Sequence, residues 1–179
     1  MSLQAKALNV PQITVRIKEP YLHRYRNSVS ELARRDEVQG LVTGDVHTDI
    51  HRRWMEDVCS GLGVEPIMPL WKVDSSRILD AVVSDGFKPV FTCVREPWFD
   101  EGWLGRELNG ECVKNLHALH RRSGIDLCGE KGEYHTSVLD GPMFKQSINI
   151  DEYTKGKRGS LFFMKVNRCS MSGTCRKDR

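Results

Sequence analysis

The chain has 179 residues, 39% of them apolar, and a formal net charge of +3. That is enough for one globular domain with its own core, and no apolar run approaches the roughly 18 residues a bilayer-spanning helix needs. The start, MSLQAKALNVPQ, has neither the basic nor the apolar region of a secretory signal. Six cysteines (59, 93, 112, 128, 169, 175) without a CxxC pair read as reduced thiols of a cytoplasmic protein, not as a disulfide framework or zinc site.

Ile13-Thr-Val-Arg-Ile17 alternates and predicts a strand. Tyr21 to Asp36 places Leu22, Tyr25, Val29, Leu32 and Ala33 on one helical face. GLVTGD (40–45) reads as a buried strand, and Ile50, Trp54, Val58 and Leu62 recur every four residues, predicting a helix from His47 to Leu62. Ser75 and Ser76 can cap a third helix that ends at Gly86. KPVFTCV (88–94) is the next strand, and Val113, Leu116 and Leu119 mark a further helix.

Strand–helix alternation through residue 125 predicts an α/β fold, a parallel sheet covered on both faces. Residues 126–154 turn to short strands, TSVLD and QSINI, with SLFFMKV following, so a smaller β-rich portion is expected after the core. Residues 155–179 carry eight Lys/Arg against Asp178, net +7, which leaves the body acidic. That tail reads as a solvated, partly disordered basic arm. It has no Arg–aromatic interleaving, so nucleic acid is not its expected partner.

Ligands of open parallel sheets sit beyond the carboxyl ends of the strands. Three segments are therefore expected on one rim: Gly44-Asp45, Arg95-Glu96-Pro97-Trp98 and the turn CGEKGEYHT. Gly44 allows close backbone approach, while Asp45 can cap a helix or hold a cation or ribose hydroxyl. His47 and His51 have zinc-binding spacing, but Thr48 stands where a metalloprotease glutamate belongs. The pair reads as a polar helical turn, and no metal site is assigned. Arg53, with Arg52 and Glu56, can meet an anion or form a surface ion pair. Trp71 can stack on a base or cap the core. Glu130 and Glu133, between Gly129 and Gly132, project from the turn, either to position an amine or act as general base, or as ordinary exposed hairpin residues.

CGEKGEYHTSVLDGPMF resembles the CGE-x-GE-[YF]-x-T-x-x-x-D-x-P-x-F signature of the diphthine–ammonia ligase family, in the adenine-nucleotide alpha-hydrolase superfamily (N-type ATP pyrophosphatases). GDVHTDIHRRWMEDVC, EPIMPLW and WLGRELN are similar to three further blocks of that family, in order across residues 1–150. The resemblance implies a Rossmann-like, HUP-type parallel sheet and an ATP- and Mg²⁺-dependent ligase. Such a ligase adenylates the carboxylate of diphthine on translation elongation factor 2, and ammonia then yields diphthamide. Carried over by position, Gly44 and Asp45 border the nucleotide. Glu133 and Glu130 are the catalytic carboxylates, and Gly129, Gly132, Tyr134, His135 and Thr136, with Arg53 and Trp71, face the acceptor.

The family's SGGKDS phosphate loop has no counterpart here, so the sheet is expected to be amino-terminally truncated. The H-R-x-W block and His135 are similar to a branch also found in bacteria. The alternatives are thus a non-catalytic relative or an ATP pyrophosphatase-like protein with another acceptor.

Overall fold

The computed structural model describes residues 2–173 and divides them into two compact units. One is Ile13–Val73, and the other is formed by the described residues on either side of it. Among the described residues no helix is long and apolar enough to cross a membrane.

The larger unit opens with a short helix, α1 (Ser2–Leu8). Its Ala7 is fully buried in a cluster with Phe144 and Ile148. The chain then leaves for the smaller unit: α2 (Tyr21–Asp36), β1 (Gly40–Val42), α3 (Asp49–Cys59) and β2 (Glu65–Ile67). Tyr25, Val29 and Ala33, four residues apart, lay one stripe of α2 against Val58 and Cys59 of α3 and Val64. Glu37, left-handed at φ 53, ends α2. β1 and β2 run parallel, with Gly40 opposite Glu65 and Val42 opposite Ile67.

Residues 13–17, expected as a strand, form no ladder among the described residues, and Ile13 stays 52% exposed. Alternation favours an extended backbone, but a strand exists only where a neighbour supplies its hydrogen bonds.

Back in the larger unit come α4 (Ser75–Ser84), β3 (Pro89–Arg95), a 3-10 turn (Glu101–Trp103), α5 (Gly110–Ser123), β4 (Tyr134–Val138), β5 (Gln146–Arg158) and β6 (Leu161–Gly173). Asp74, not Ser75 or Ser76, caps α4: its carboxylate accepts from the Arg77 N–H at 3.0 Å. Asp74→Ala is therefore expected to lower stability by about 1 kcal/mol, the usual value of one cap, in a denaturant titration. Asn109 caps α5 by accepting from the Glu111 and Cys112 N–H groups, and Gly124 at φ 67 ends it. The core gathers where α4 and α5 cover β3: Phe91, Val94, Leu116 and Ile125 are essentially inaccessible.

The α/β class stands, in mixed form. Parallel pairing is confined to β1–β2, while β3, expected in the parallel sheet, sits in an antiparallel sheet of order β4-β3-β6-β5. A helix between strands permits a parallel crossover but does not impose one. After α5 the glycine turns at 129 and 132 bring β4 back along β3 in the opposite direction.

Of residues 155–179, expected as a solvated, partly disordered basic arm, residues 155–173 belong to the hairpin of β5 and β6, which turns at Gly159 (φ 59). Residues 174–179 lie outside the described residues. Aromatic and β-branched residues overrode the charge: Phe162 is opposite Lys157 and beneath its ammonium at 4.5 Å, and Lys157 also pairs with Glu96 at 2.8 Å.

Candidate functional site

In the larger unit, two turns follow one another after α5. The Asp126 carbonyl accepts from Gly129 N–H (3.1 Å), and the Gly129 carbonyl accepts from Gly132 N–H (2.9 Å). The Asp126 carboxylate also takes the Cys128 N–H at 2.7 Å. Both glycines are required. At Gly129 (φ 71) a Cβ would stand 2.9 Å from the Tyr134 carbonyl oxygen, and at Gly132 (φ 78) it would stand 3.1 Å from the Arg95 guanidinium. Gly129→Ala combines a disfavoured backbone region with a backbone clash. It is expected to cost roughly 1–3 kcal/mol in a thermal melt and to speed amide exchange across residues 126–134.

Glu133 departs from expectation. It does not project from the turn: only 2% of it is exposed. Its Oε1 accepts from the Asp126 N–H at 2.9 Å, and its Oε2 is buried without a hydrogen-bond partner among the described residues. A buried carboxylate oxygen left unpaired costs free energy. Glu130 is half-buried two residues before the Gly132 bend.

β4 distributes its side chains by alternation. Tyr134, opposite Val94, points into the core, and its hydroxyl donates to the Leu127 carbonyl. Burial pushes the phenol well above its ordinary pKa, so Tyr134 stays protonated as a strut of the turn. Thr136 shares Tyr134's side of the strand, opposite Phe91, and is half-buried. His135 lies on the other side, exposed opposite Cys93. The Cys128 thiol donates to the Ser75 carbonyl at 3.9 Å, and burial raises its pKa, so it is not poised as a nucleophile.

The larger unit thus brings together Gly129, Glu130, Gly132, Glu133 and His135, with Tyr134 and Thr136 as supports. It also places beside this turn Arg95, which the sequence put in a rim segment (95–98) without giving it a role. Arg95 ends β3, its N–H donates to the Glu133 carbonyl at 2.9 Å, and its guanidinium lies against Gly132. The sequence expected segment 95–98 and this turn on one rim, and the structure adds the specific contact between the Arg95 guanidinium and Gly132.

In the smaller unit Gly44 has open space around it: nothing lies within 4 Å of where a Cβ would be. Asp45, read as a helix cap or as a holder of a cation or ribose hydroxyl, does not cap α3: it accepts from the Thr43 hydroxyl at 2.7 Å and pairs with His51 Nδ1 at 3.1 Å. Thr48 takes the N-cap position of α3. His47 precedes the helix, so His47 and His51 do not share a helical face. With Ile50, Trp54 and Met55, Asp45 and His51 line a hollow of ≈ 370 Å³.

Glu56 pairs with Arg52 at 2.7 Å and not with Arg53, which is exposed. Trp71 is half-buried, with the Arg52 guanidinium 5.4 Å and the Lys72 ammonium 4.9 Å from its ring. Its ring face already carries two cations, which suits a surface anchor better than a core plug.

A sequence model of the diphthamide synthase C-terminal domain matches residues 74–171, more than half of the chain and nearly the whole segment of the larger unit that follows Val73. Among curated proteins, the diphthine–ammonia ligase of Danio rerio is 35% identical over 115 residues, 64% of this chain and 45% of the relative. That of Rattus norvegicus is 26% identical over 151 residues, 84% of the chain and 56% of the relative. That of Schizosaccharomyces pombe is 29% identical over 147 residues, 81% of the chain and 24% of the relative. The chain spans about half the length, or less, of these relatives. The glycine-hinged turn and the antiparallel strand after it lie inside the matched region, and the chain belongs to the diphthamide synthase C-terminal domain family.

Proposed function

We propose that the larger unit is the acceptor side of an ATP-dependent amide ligase, of the type that converts diphthine on translation elongation factor 2 to diphthamide with ammonia. The single observation that carries the reading is the buried, unpartnered Oε2 of Glu133. An amide-forming site needs an acceptor atom that receives N–H from the incoming amine and then takes its surplus proton. It also needs shelter from water, because an activated carboxyl group otherwise hydrolyses. Glu133 offers both, since the turn that buries it is braced by Tyr134 and Gly129.

ATP supplies the activation of the acceptor carboxylate. The nucleotide fits the residues present only in part. Gly44 leaves room at the end of β1, and Asp45, held by Thr43 and His51, is an oriented acceptor for hydroxyl groups. No residue of the chain is assigned to the phosphates or to Mg²⁺, and no step is drawn through them.

In the step assigned here, the ammonia lone pair forms the C–N bond and the bond from carbon to the activating group breaks. The proton lost by nitrogen passes to Glu133 Oε2. His135, exposed beside Glu133, and Glu130 line the approach. Elongation factor 2 is the proposed macromolecular partner.

The test uses the protein with ATP, isotopically labelled ammonium and elongation factor 2 bearing diphthine. The expected result is ATP-dependent incorporation of the label as an amide on the modified histidine. Failure to incorporate label with a protein that hydrolyses ATP in the presence of a different carboxylate would move the acceptor elsewhere.

A further inference from the structure

We propose that Arg95 is the residue that holds the acceptor's carboxylate, a proposal that rests on the acceptor-site reading above. Its position follows from the ladder. Val94 is opposite Tyr134 and Cys93 is opposite His135, and just past this ladder the Arg95 N–H bonds to the Glu133 carbonyl, so the two residues lie side by side. Glu133 is buried, at 2% exposure, while the Arg95 side chain beside it is half-buried.

Two opposite charges placed this way would ordinarily pair. Here they do not. The Glu133 Oε1 is occupied by the Asp126 N–H, and its Oε2 has no partner. The half-buried Arg95 side chain makes no hydrogen bond or ion pair among the described residues. Its guanidinium is laid against Gly132, where only a residue without a side chain leaves it room. The nearest acidic neighbour in sequence, Glu96, is engaged by Lys157 at 2.8 Å and does not compete for it. A planar fork of N–H donors left unfilled matches the two oxygens of a carboxylate.

The two unfilled groups are complementary to the two reactants of amide formation. The Arg95 fork suits a carboxyl group, and the Glu133 Oε2 suits an amine. A phosphate oxyanion shares the chemistry that Arg95 recognises, so the test separates the two sources.

Arg95→Ala is expected to raise KM for the acceptor roughly 10- to 100-fold, as for a lost charge-assisted pair, while KM for ATP stays unmoved. Added guanidinium ion restores part of the loss, which a merely structural role for Arg95 would not allow. Arg121→Met, on the exposed end of α5, is the control and leaves both constants unchanged. Independently of activity, the Arg95 Nε–H resonance of the unmodified 179-residue chain shifts on titration with acetate.

A shift with inorganic phosphate but not acetate, or a rise in KM for ATP alone, overturns the carboxylate assignment. No shift with either anion and unchanged constants overturns the site. If acetate moves the resonance while the protein forms no amide, Arg95 remains an oxyanion site and the ligase reading falls. If amide forms normally in Arg95→Ala, the ligase reading stands and this proposal falls.

Discussion

Glu133→Gln is expected to slow amide formation by roughly 10²–10⁴-fold, the range for loss of a positioned general base, with ATP binding nearly unchanged. The replacement is nearly isosteric. The glutamine carbonyl can keep the hydrogen bond from the Asp126 N–H that Oε1 makes at 2.9 Å. The atom that changes is the other one, Oε2, which turns from an acceptor into an NH₂ donor. A donor facing an incoming amine repels it and cannot take its proton. Activity should therefore fall while the melting temperature moves little. The check is single-turnover amide formation, run beside equilibrium binding of ATP and a thermal melt. Turnover equal to that of the parent would remove Glu133 from the chemistry.

The second large effect is on stability. Phe91→Ala is expected to cost about 3–5 kcal/mol, the range for deleting a buried phenyl ring. That is a large part of the roughly 5–15 kcal/mol that holds a typical domain together. Phe91 is 0% exposed and meets Trp103 at 5.3 Å and Tyr134 at 5.1 Å between ring centroids. Its loss leaves a cavity on the inner side of β4, where Tyr134 braces the Glu133 turn through the Leu127 carbonyl. Urea denaturation should show the larger unit destabilised, and amide exchange should show residues 126–134 opening more often. Tyr134→Phe, which keeps the ring and removes only the hydroxyl, should loosen the turn with a much smaller loss of global stability.

Much of the fold was legible from the residues. α2 and α5 followed from apolar residues at helical spacing, because burying one stripe is enough to stabilise a helix. The turn at 128–133 was marked by its glycines, and both prove to be left-handed.

What periodicity could not carry was partnership. KPVFTCV reads as a buried strand whichever way its neighbours run, and its antiparallel pairing depends on how the chain returns after α5. Ile13–Ile17 shows the converse, an alternating pattern with no ladder to join. The charge of residues 155–173 masked a hairpin in which Phe163 lies across Gly156, where a Cβ would sit 2.5 Å from its ring. At the site, the sequence pointed to Glu133 but gave no sign that it is buried. Arg95 was placed on the rim with this turn but given no role, because its contact with Gly132 is fixed only once β3 and β4 are in register.

Hydrogen–deuterium exchange of the 179-residue chain, with and without elongation factor 2 bearing diphthine, is the most direct measurement of where the acceptor sits. Protection concentrated in residues 93–97 and 126–137 is the predicted result, reduced when the factor carries unmodified histidine. Protection confined to the smaller unit or to α5, with the Glu133 turn exchanging as in the free chain, would contradict the placement of the acceptor on this face.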